Sequence, residues 1–224
     1  MKYELLKTDT INEHGVRLYR IRALKDVHLD WTVYVPKGTL GGYIESESNL
    51  SQTGNSWIGF DGQVFGNARV EDNAVVLSGQ IFDEAQISGN AVVHSVKNIS
   101  GNAIVCGNAC VEGKPRIFGH AYISDDAEIN EEPCIYGNAV VSGHARVAGK
   151  AQISQNACVQ GDSWVFNSAH VFGDALVDKK ARVYGYAYVY GNAVISDSVH
   201  VYDEAHVCHG EFSGNSVING NSVI

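Results

Sequence analysis

The chain has 224 residues, of which 45% are hydrophobic, so it is long enough to bury a sizeable core. Its formal net charge is −9 at pH 7 and its Lys and Arg residues are scattered, which argues against a nucleic-acid or anionic-membrane binder. No apolar run approaches the roughly 20 residues of a membrane span, and the N-terminal MKYELLKTDT lacks the apolar core of a signal peptide. The cysteines form no C-x-x-C pair and fit reduced thiols, so we expect a cytoplasmic protein.

Residues 1–53 are predicted to form a small β cap. The stretch YELLKTDTINEHGVRLYRIRAL indicates two strands around a polar turn near residues 12–15, and PKGTLGGYIESE indicates a loop leading out of the cap. Such a cap would cover the strand edges that a repeat array exposes at its end.

Residues 54–224 form a six-residue repeat. From Ile87 to Val207 every sixth residue is Ile or Val, and two places before most of these stands Ala. The Ala-x-Val pattern has the period of two of a short strand, and the Gly-Asn pair that comes after it tolerates positive φ and turns the chain. Three hexads of 18 residues close one triangular coil, so the sequence predicts an all-β parallel β-helix. It stops in mid-pattern, which suggests either burial of this end in an oligomer or a truncated chain.

The hexads GNAVV, GHARV and GDALV, preceded by LGGYIESESNLSQTGNSWI and YRIRALKD, resemble the YdcK-like branch of the single-stranded left-handed β-helix proteins of bacteria and their phages. This resemblance covers nearly the whole chain and implies a left-handed helix of the hexapeptide-repeat (LpxA-like) superfamily. That superfamily also contains acyltransferases, and members of this branch are often labelled transferases by fold alone, which does not settle activity. Hexapeptide acyltransferases commonly extrude a loop around the active site, whereas the hexads over residues 83–208 have no insertion.

Residues 18 apart stack on the same side of the coils, so the outward side chains can be assigned to columns. One column, here called the apolar column, consists of Ile104, Tyr122, Val140, Cys158, Leu176 and Val194. A soluble monomer rarely exposes such a contiguous apolar patch to solvent. We therefore predict an oligomer interface there, most simply of a homodimer or homotrimer, or a contact with a protein partner. The alternative is that these residues are merely good strand formers. The corner before this column, Asn102 to Asn192, is predicted to form a ladder of stacked turn residues.

Aromatic and histidine side chains concentrate in the C-terminal third. This aromatic patch is predicted to bind a ligand or partner, and it consists of Trp164, Phe166, His170, Phe172, Tyr184, Tyr188, Tyr190, Tyr202 and His206. Aromatic columns suit sugar rings, nucleobases or the side chains of a partner protein. Ordinary cross-strand stacking is the competing interpretation.

Three histidines, His144, His170 and His206, are the candidates for a catalytic base, although the stacking singles out no carboxylate partner for any of them. His170 and His206 lie two coils apart, about 9.6 Å, which is too far to share one zinc ion, so no metal site is predicted.

Taken together, these features favour a non-catalytic structural or interaction protein without a cofactor. Two alternatives stay open: an acyltransferase of the hexapeptide class with acetyl-CoA as donor, and a carbohydrate- or nucleotide-binding module.

Overall fold

The N-terminal cap is built on a β-hairpin. The structure, a computed structural model, describes residues 1–29 and 34–224. Strands Tyr3–Glu13 and Val16–Ala23 pair antiparallel, which confirms the predicted turn, and a second small pair joins Val27–His28 to Tyr34–Val35. The prediction of a loop over PKGTLGGYIESE is wrong at Leu40–Ile44, which forms a strand. This strand pairs antiparallel with the hairpin and parallel with the first long strand of the repeat, so the cap and the repeat share one sheet. The division of the chain at residue 53 into two domains stays a prediction.

Two buried cations hold the cap in place. The Lys2 ammonium donates to the Ser56 carbonyl at 2.7 Å and to its hydroxyl at 3.0 Å. Burial, and then the nearby Lys25, lowers the pKa of Lys2 from 10.5 to about 8. The Arg20 guanidinium lies between the rings of Tyr43 and Phe60, at 4.1 and 3.9 Å from their centroids. These long-range contacts fix the cap against the first coils.

The repeat winds into a parallel β-solenoid with coils of about 18 residues, as the hexads predict. Each coil places one short strand in each of three stacks, here called faces A, B and C. Face A is a nine-stranded sheet of Arg69–Val70, Gln86–Ile87, Ile104–Val105, Tyr122–Ile123, Val140–Val141, Cys158–Val159, Leu176–Val177, Val194–Ile195 and Glu211–Phe212. Face B contains Val92–His94, Cys110–Glu112, Glu128–Ile129, Arg146–Val147, Trp164–Val165, Arg182–Val183, His200–Val201 and Val217–Ile218. Face C contains Asn98–Ile99, Arg116–Ile117, Cys134–Ile135, Gln152–Ile153, His170–Val171, Tyr188–Val189 and His206–Val207.

Two longer strands and one short helix complete the first coils. Strands Trp57–Val64 and Val75–Ile81 each run from face B into face C, and a 3-10 helix spans Glu47–Asn49. The second of these strands passes through Ser78 and Gly79. Here the step from one inward residue to the next, from Val76 to Ile81, is five residues instead of six.

The core is a filled column of Ala, Val and Ile. In the middle coils, inward residues such as Ala145 and Val147 have no exposed surface. Where the register places Lys97 inward, the structure turns it outward and buries Val96 instead, because an unpaired charge would be costly in this dry interior. The prediction of which residues point inward is thus confirmed over residues 87–207 except at this coil, whereas Phe212 is only half-buried and Ile224 is exposed in the last coil.

The corners require residues that tolerate positive φ. Gly107 has φ +68°, and a Cβ there would lie 2.7 Å from the Asp125 backbone nitrogen of the next coil. Asp125 itself adopts φ +57°, and its carboxylate accepts the Gly143 N–H at 3.0 Å. Gly therefore avoids a clash at some corners, while Asp uses its side chain to bond the next coil.

Side-chain ladders reinforce two of the corners. The predicted ladder is present where Asn138 donates to Asn156 at 2.9 Å and Asn156 donates to Asp174 at 2.8 Å. The corner before face B carries a longer ladder that sequence reasoning missed, through Asn55, Asn73, Asn90, Asn108 and Asp126.

Candidate functional site

The apolar column lies along face A. Its members occupy successive paired strands, in the order Ile104, Tyr122, Val140, Cys158, Leu176 and Val194. Five of the six are half-buried by their neighbours in the column, and Tyr122 is 39% exposed. The column is bounded by polar residues on the outer strands, Arg69 and Gln86 at one end and Glu211 at the other. Face A therefore offers a straight apolar stripe with charged ends.

Small side chains flank this stripe on face A. The next outward positions along the strands hold Ser124, Ser142 and Ser196, with Cys106 on an earlier strand. The Cys106 thiol lies 3.4 Å from the Tyr122 hydroxyl, which turns that ring across the sheet. The equivalent positions on the Cys158 and Leu176 strands hold the longer polar side chains of Gln160 and Asp178, so the small flanking residues are confined to the other four strands.

The aromatic patch divides between faces B and C, and its rings stack on one another along the rod. On face C, Tyr188 lies between His170 and His206, with ring centroids 4.7 and 4.6 Å apart, and Phe172 stacks on Tyr190 at 5.0 Å. On face B, Phe166, Tyr184 and Tyr202 form a second stack with centroid distances of 4.8 and 4.9 Å. Trp164 lies beside Phe166 in a tilted arrangement at 4.6 Å.

This stacking decides which parts of the rings are accessible. The stacked pairs are inclined by only 4–20°, so their flat faces are turned toward the next coil and their edges toward solvent. Burial raises the pKa of Tyr184, with Tyr202 as the next cause, and burial lowers the pKa of His170. Tyr186, at the corner between faces B and C, is 65% exposed and was missed because it lies outside the strands.

The three candidate histidines do not come together. His170 and His206 flank Tyr188 on face C, whereas His144 lies at the corner before face B. The prediction that none has a carboxylate partner is wrong for His144, because its Nδ1 lies 3.7 Å from the carboxylate of Asp126, one coil earlier. Both side chains of this pair are largely exposed, so solvent screens it. Within residues 1–29 and 34–224, no group of three or more His, Cys, Asp or Glu side chains is arranged to hold a metal ion.

A groove on face B was not predicted from the sequence. It has a volume of about 330 Å³ and is lined by His144, Arg146, Asp162, Trp164, Lys180 and Arg182. Arg146 is paired with Glu128 at 3.2 Å, and the Arg182 guanidinium lies 5.7 Å from the Trp164 ring centroid. The sequence signal that could have identified it is the pair of neighbouring columns at 18-residue spacing, His144, Asp162 and Lys180 beside Arg146, Trp164 and Arg182.

These features define the class: a parallel β-solenoid protein with regular coils and surfaces made of side-chain columns. Residues 63–78, in the first coils, match the family model described as YdcK Beta solenoid repeat. This segment is similar to the YdcK β-solenoid repeat, and the regular coils on either side of it are consistent with the resemblance that the hexads indicated. A search of curated proteins finds no match to this chain. Among the described residues, no helix combines the length and the hydropathy needed to cross a membrane.

Proposed function

We propose that this protein is a non-catalytic interaction protein that self-associates through face A. The observation that carries the proposal is the apolar column itself, which runs along the sheet in register between polar end strands. The face consists of nine strands spaced about 4.8 Å apart, and it extends about 13 Å along the strand direction. Its area is therefore roughly 560 Å² per copy. Two such faces would bury about 1,100 Å² in total, near the lower bound of stable interfaces.

Charge favours one arrangement of the two copies. Val140 lies on the central strand of the nine-stranded face, with Arg69 on the first strand and Glu211 on the last. An antiparallel dimer with its two-fold axis at Val140 would bring Arg69 of each copy opposite Glu211 of the other. A parallel dimer would instead oppose like charges at both ends. We therefore propose the antiparallel dimer, in which the apolar residues of each copy cover those of the other.

The test compares the oligomeric state of matched variants by sedimentation. The double variant Val140→Lys/Leu176→Lys is expected to be monomeric, because two Val140→Lys side chains would meet at the two-fold axis. The control variant Asn130→Lys/Ala148→Lys adds the same charge to face B and should leave the dimer intact. A parent protein that sediments as a monomer would overturn the proposal.

A charge exchange tests the antiparallel orientation. Arg69→Glu is expected to weaken the dimer, and Arg69→Glu combined with Glu211→Arg is expected to restore it. No restoration in the double variant would contradict the antiparallel arrangement.

An acyltransferase of the hexapeptide class, with acetyl-CoA as donor, is a second candidate. The observation in its favour is the approach of His144 Nδ1 to the Asp126 carboxylate at 3.7 Å, because a histidine beside a carboxylate is the arrangement from which a general base is built. The basic groups of the neighbouring groove, Arg146, Lys180 and Arg182, are of the kind that bind the phosphates of coenzyme A. Calorimetric titration with acetyl-CoA tests it: binding that His144→Ala leaves intact while acetyl transfer is lost would support this function, and absence of binding would reject it.

No specific observation favours a carbohydrate- or nucleotide-binding module. Stacking on a sugar or base needs a free ring face, and most ring faces of the aromatic patch are engaged by the next coil. Their edges and hydroxyls suit a protein partner better.

A further inference from the structure

A second groove lies at the corner between faces B and C, where the path of the chain changes from one coil to the next. Strand Val75–Ile81 runs through this corner without a break, whereas two coils later the chain leaves face B at Glu112 and enters face C only at Arg116. In the coil between them Ser95 adopts φ +60° and the next residue is buried. The groove follows this change of path, takes its lining from four successive coils and has a volume of about 530 Å³.

Three cations line this groove, Lys97, Lys114 and Arg116, and all three are exposed. The Lys97 amide donates to the Pro115 carbonyl at 3.1 Å, so its backbone lies beside the segment that joins the other two cations. Within residues 1–29 and 34–224, none of the three forms an ion pair within 4 Å. Neighbouring like charges repel one another, and a bound anion would relieve that repulsion.

The charge of the groove is positive although the whole chain carries a net charge of −9. Glu132 is the one carboxylate among the described lining residues, so the lining has a net charge of +2. The adjoining hollow adds Glu131 and Lys150, whose charges cancel, and the Glu112 carboxylate lies 3.7 Å from His94. A charge of +2 matches a phosphate monoester, which is largely a dianion at neutral pH because its second pKa is about 6.

The groove also offers directed hydrogen-bond donors. The Arg116 guanidinium, which lies 5.7 Å from the Phe118 ring centroid, can donate to two phosphate oxygens at once. The Ser78 hydroxyl accepts the Ser95 amide at 2.9 Å and donates to the Ser95 hydroxyl at 3.3 Å. This arrangement leaves the proton of the Ser95 hydroxyl available to a ligand.

We propose that this groove binds a small molecule through its phosphate monoester group. Arg116 and the two lysines hold the phosphate oxygens, and the Ser95 hydroxyl donates a further hydrogen bond. The volume of about 530 Å³ exceeds that of a phosphate group and lies within the range of small-molecule sites, about 300–1,000 Å³, so the groove also admits the organic part of the ligand.

This site goes beyond the proposed self-association, since it lies on neither face A nor the groove that contains Arg146. The dimer is measured by sedimentation and the phosphate site by ligand titration. Failure of one proposal therefore leaves the other standing.

The probe is phenyl phosphate, titrated into the full chain near pH 7.5 and followed by NMR of the protein amides. We expect one site per chain, with shifts at Ser95, Lys97 and Lys114. Phenyl sulfate carries one negative charge and should bind about tenfold more weakly. Equal affinity for the two esters would overturn the assignment to a dianion, and shifts confined to the Arg146 groove would overturn the site.

A second ligand distinguishes a small molecule from a phosphorylated protein. The tripeptide Gly-phosphoserine-Gly carries the same phosphate group on a peptide chain. We expect it to bind no more tightly than phenyl phosphate, and tighter binding would overturn the assignment to a small molecule.

Substitutions of opposite sign test the charge balance. Lys97→Gln and Arg116→Gln should each weaken phenyl phosphate binding about tenfold, because each removes a charge-assisted hydrogen bond. Glu132→Gln should strengthen binding about threefold, since it removes the opposing charge. Lys7→Gln, an exposed change in the cap, is the control and should leave affinity unchanged. No binding to the parent, unchanged affinity in Lys97→Gln and Arg116→Gln, or weaker binding in Glu132→Gln would overturn the proposal.

Discussion

A single buried charge in the middle of the rod should disrupt the stack. Val147 is fully buried on a face B strand, so Val147→Asp loses roughly 1.5–3 kcal/mol of side-chain burial. An uncompensated buried charge costs about 3–5 kcal/mol more. The combined loss of about 5–8 kcal/mol is comparable to the whole stability of a typical domain, about 5–15 kcal/mol.

Urea denaturation monitored by circular dichroism measures this loss. Val147→Asp is expected to be unfolded or to unfold at much lower urea, and acidification that protonates the new carboxyl should restore part of the stability. The control is Ala148→Asp, which adds the same charge one residue later at an outward, half-buried position and should change the midpoint little. If Val147→Asp melted like the parent, the assignment of inward positions would be refuted.

Three further changes test the contacts outside the central core. Lys2→Met should abolish a rise of stability with pH between about 8 and 10.5, because folded Lys2 binds fewer protons than unfolded lysine in this window; parallel urea midpoints in parent and variant would contradict this. Tyr188→Ser breaks two ring stacks and should lower stability by about 1–3 kcal/mol, whereas the exposed Tyr186→Ser should be neutral; equal thermal midpoints would count against the stacks. Asp125→Ala should be destabilising, since it loses the bond to the Gly143 N–H at a positive φ, and Asp125→Asn should retain most of the stability; the reverse order would refute this role.

The fold was predictable because the information that specifies it is local and repeated. Every coil presents the same alternation of inward Ala and Val, so a single exception such as Lys97 is absorbed by turning Val96 inward. The cap is different: the burial of Lys2 against Ser56 joins residues far apart in sequence, and no local pattern indicates it. Sequence reasoning therefore identified the hairpin but not how it is held.

Side-chain columns were predictable as positions but not as geometry. The apolar column and the aromatic patch derive directly from the 18-residue register, and the structure places their members on adjacent strands. Whether a ring turns its face or its edge to solvent depends on the side-chain torsions, which the register does not specify. The pairing of His144 with Asp126 was available from the register, since the two are 18 residues apart, but was overlooked.

Sedimentation equilibrium of the unmodified protein tests directly whether face A joins two copies of the chain. We predict a mass of about 48 kDa, twice the 24.2 kDa of one chain, which falls to that of one chain in Val140→Lys/Leu176→Lys. A mass of 24.2 kDa for the unmodified protein at every concentration measured would contradict this prediction.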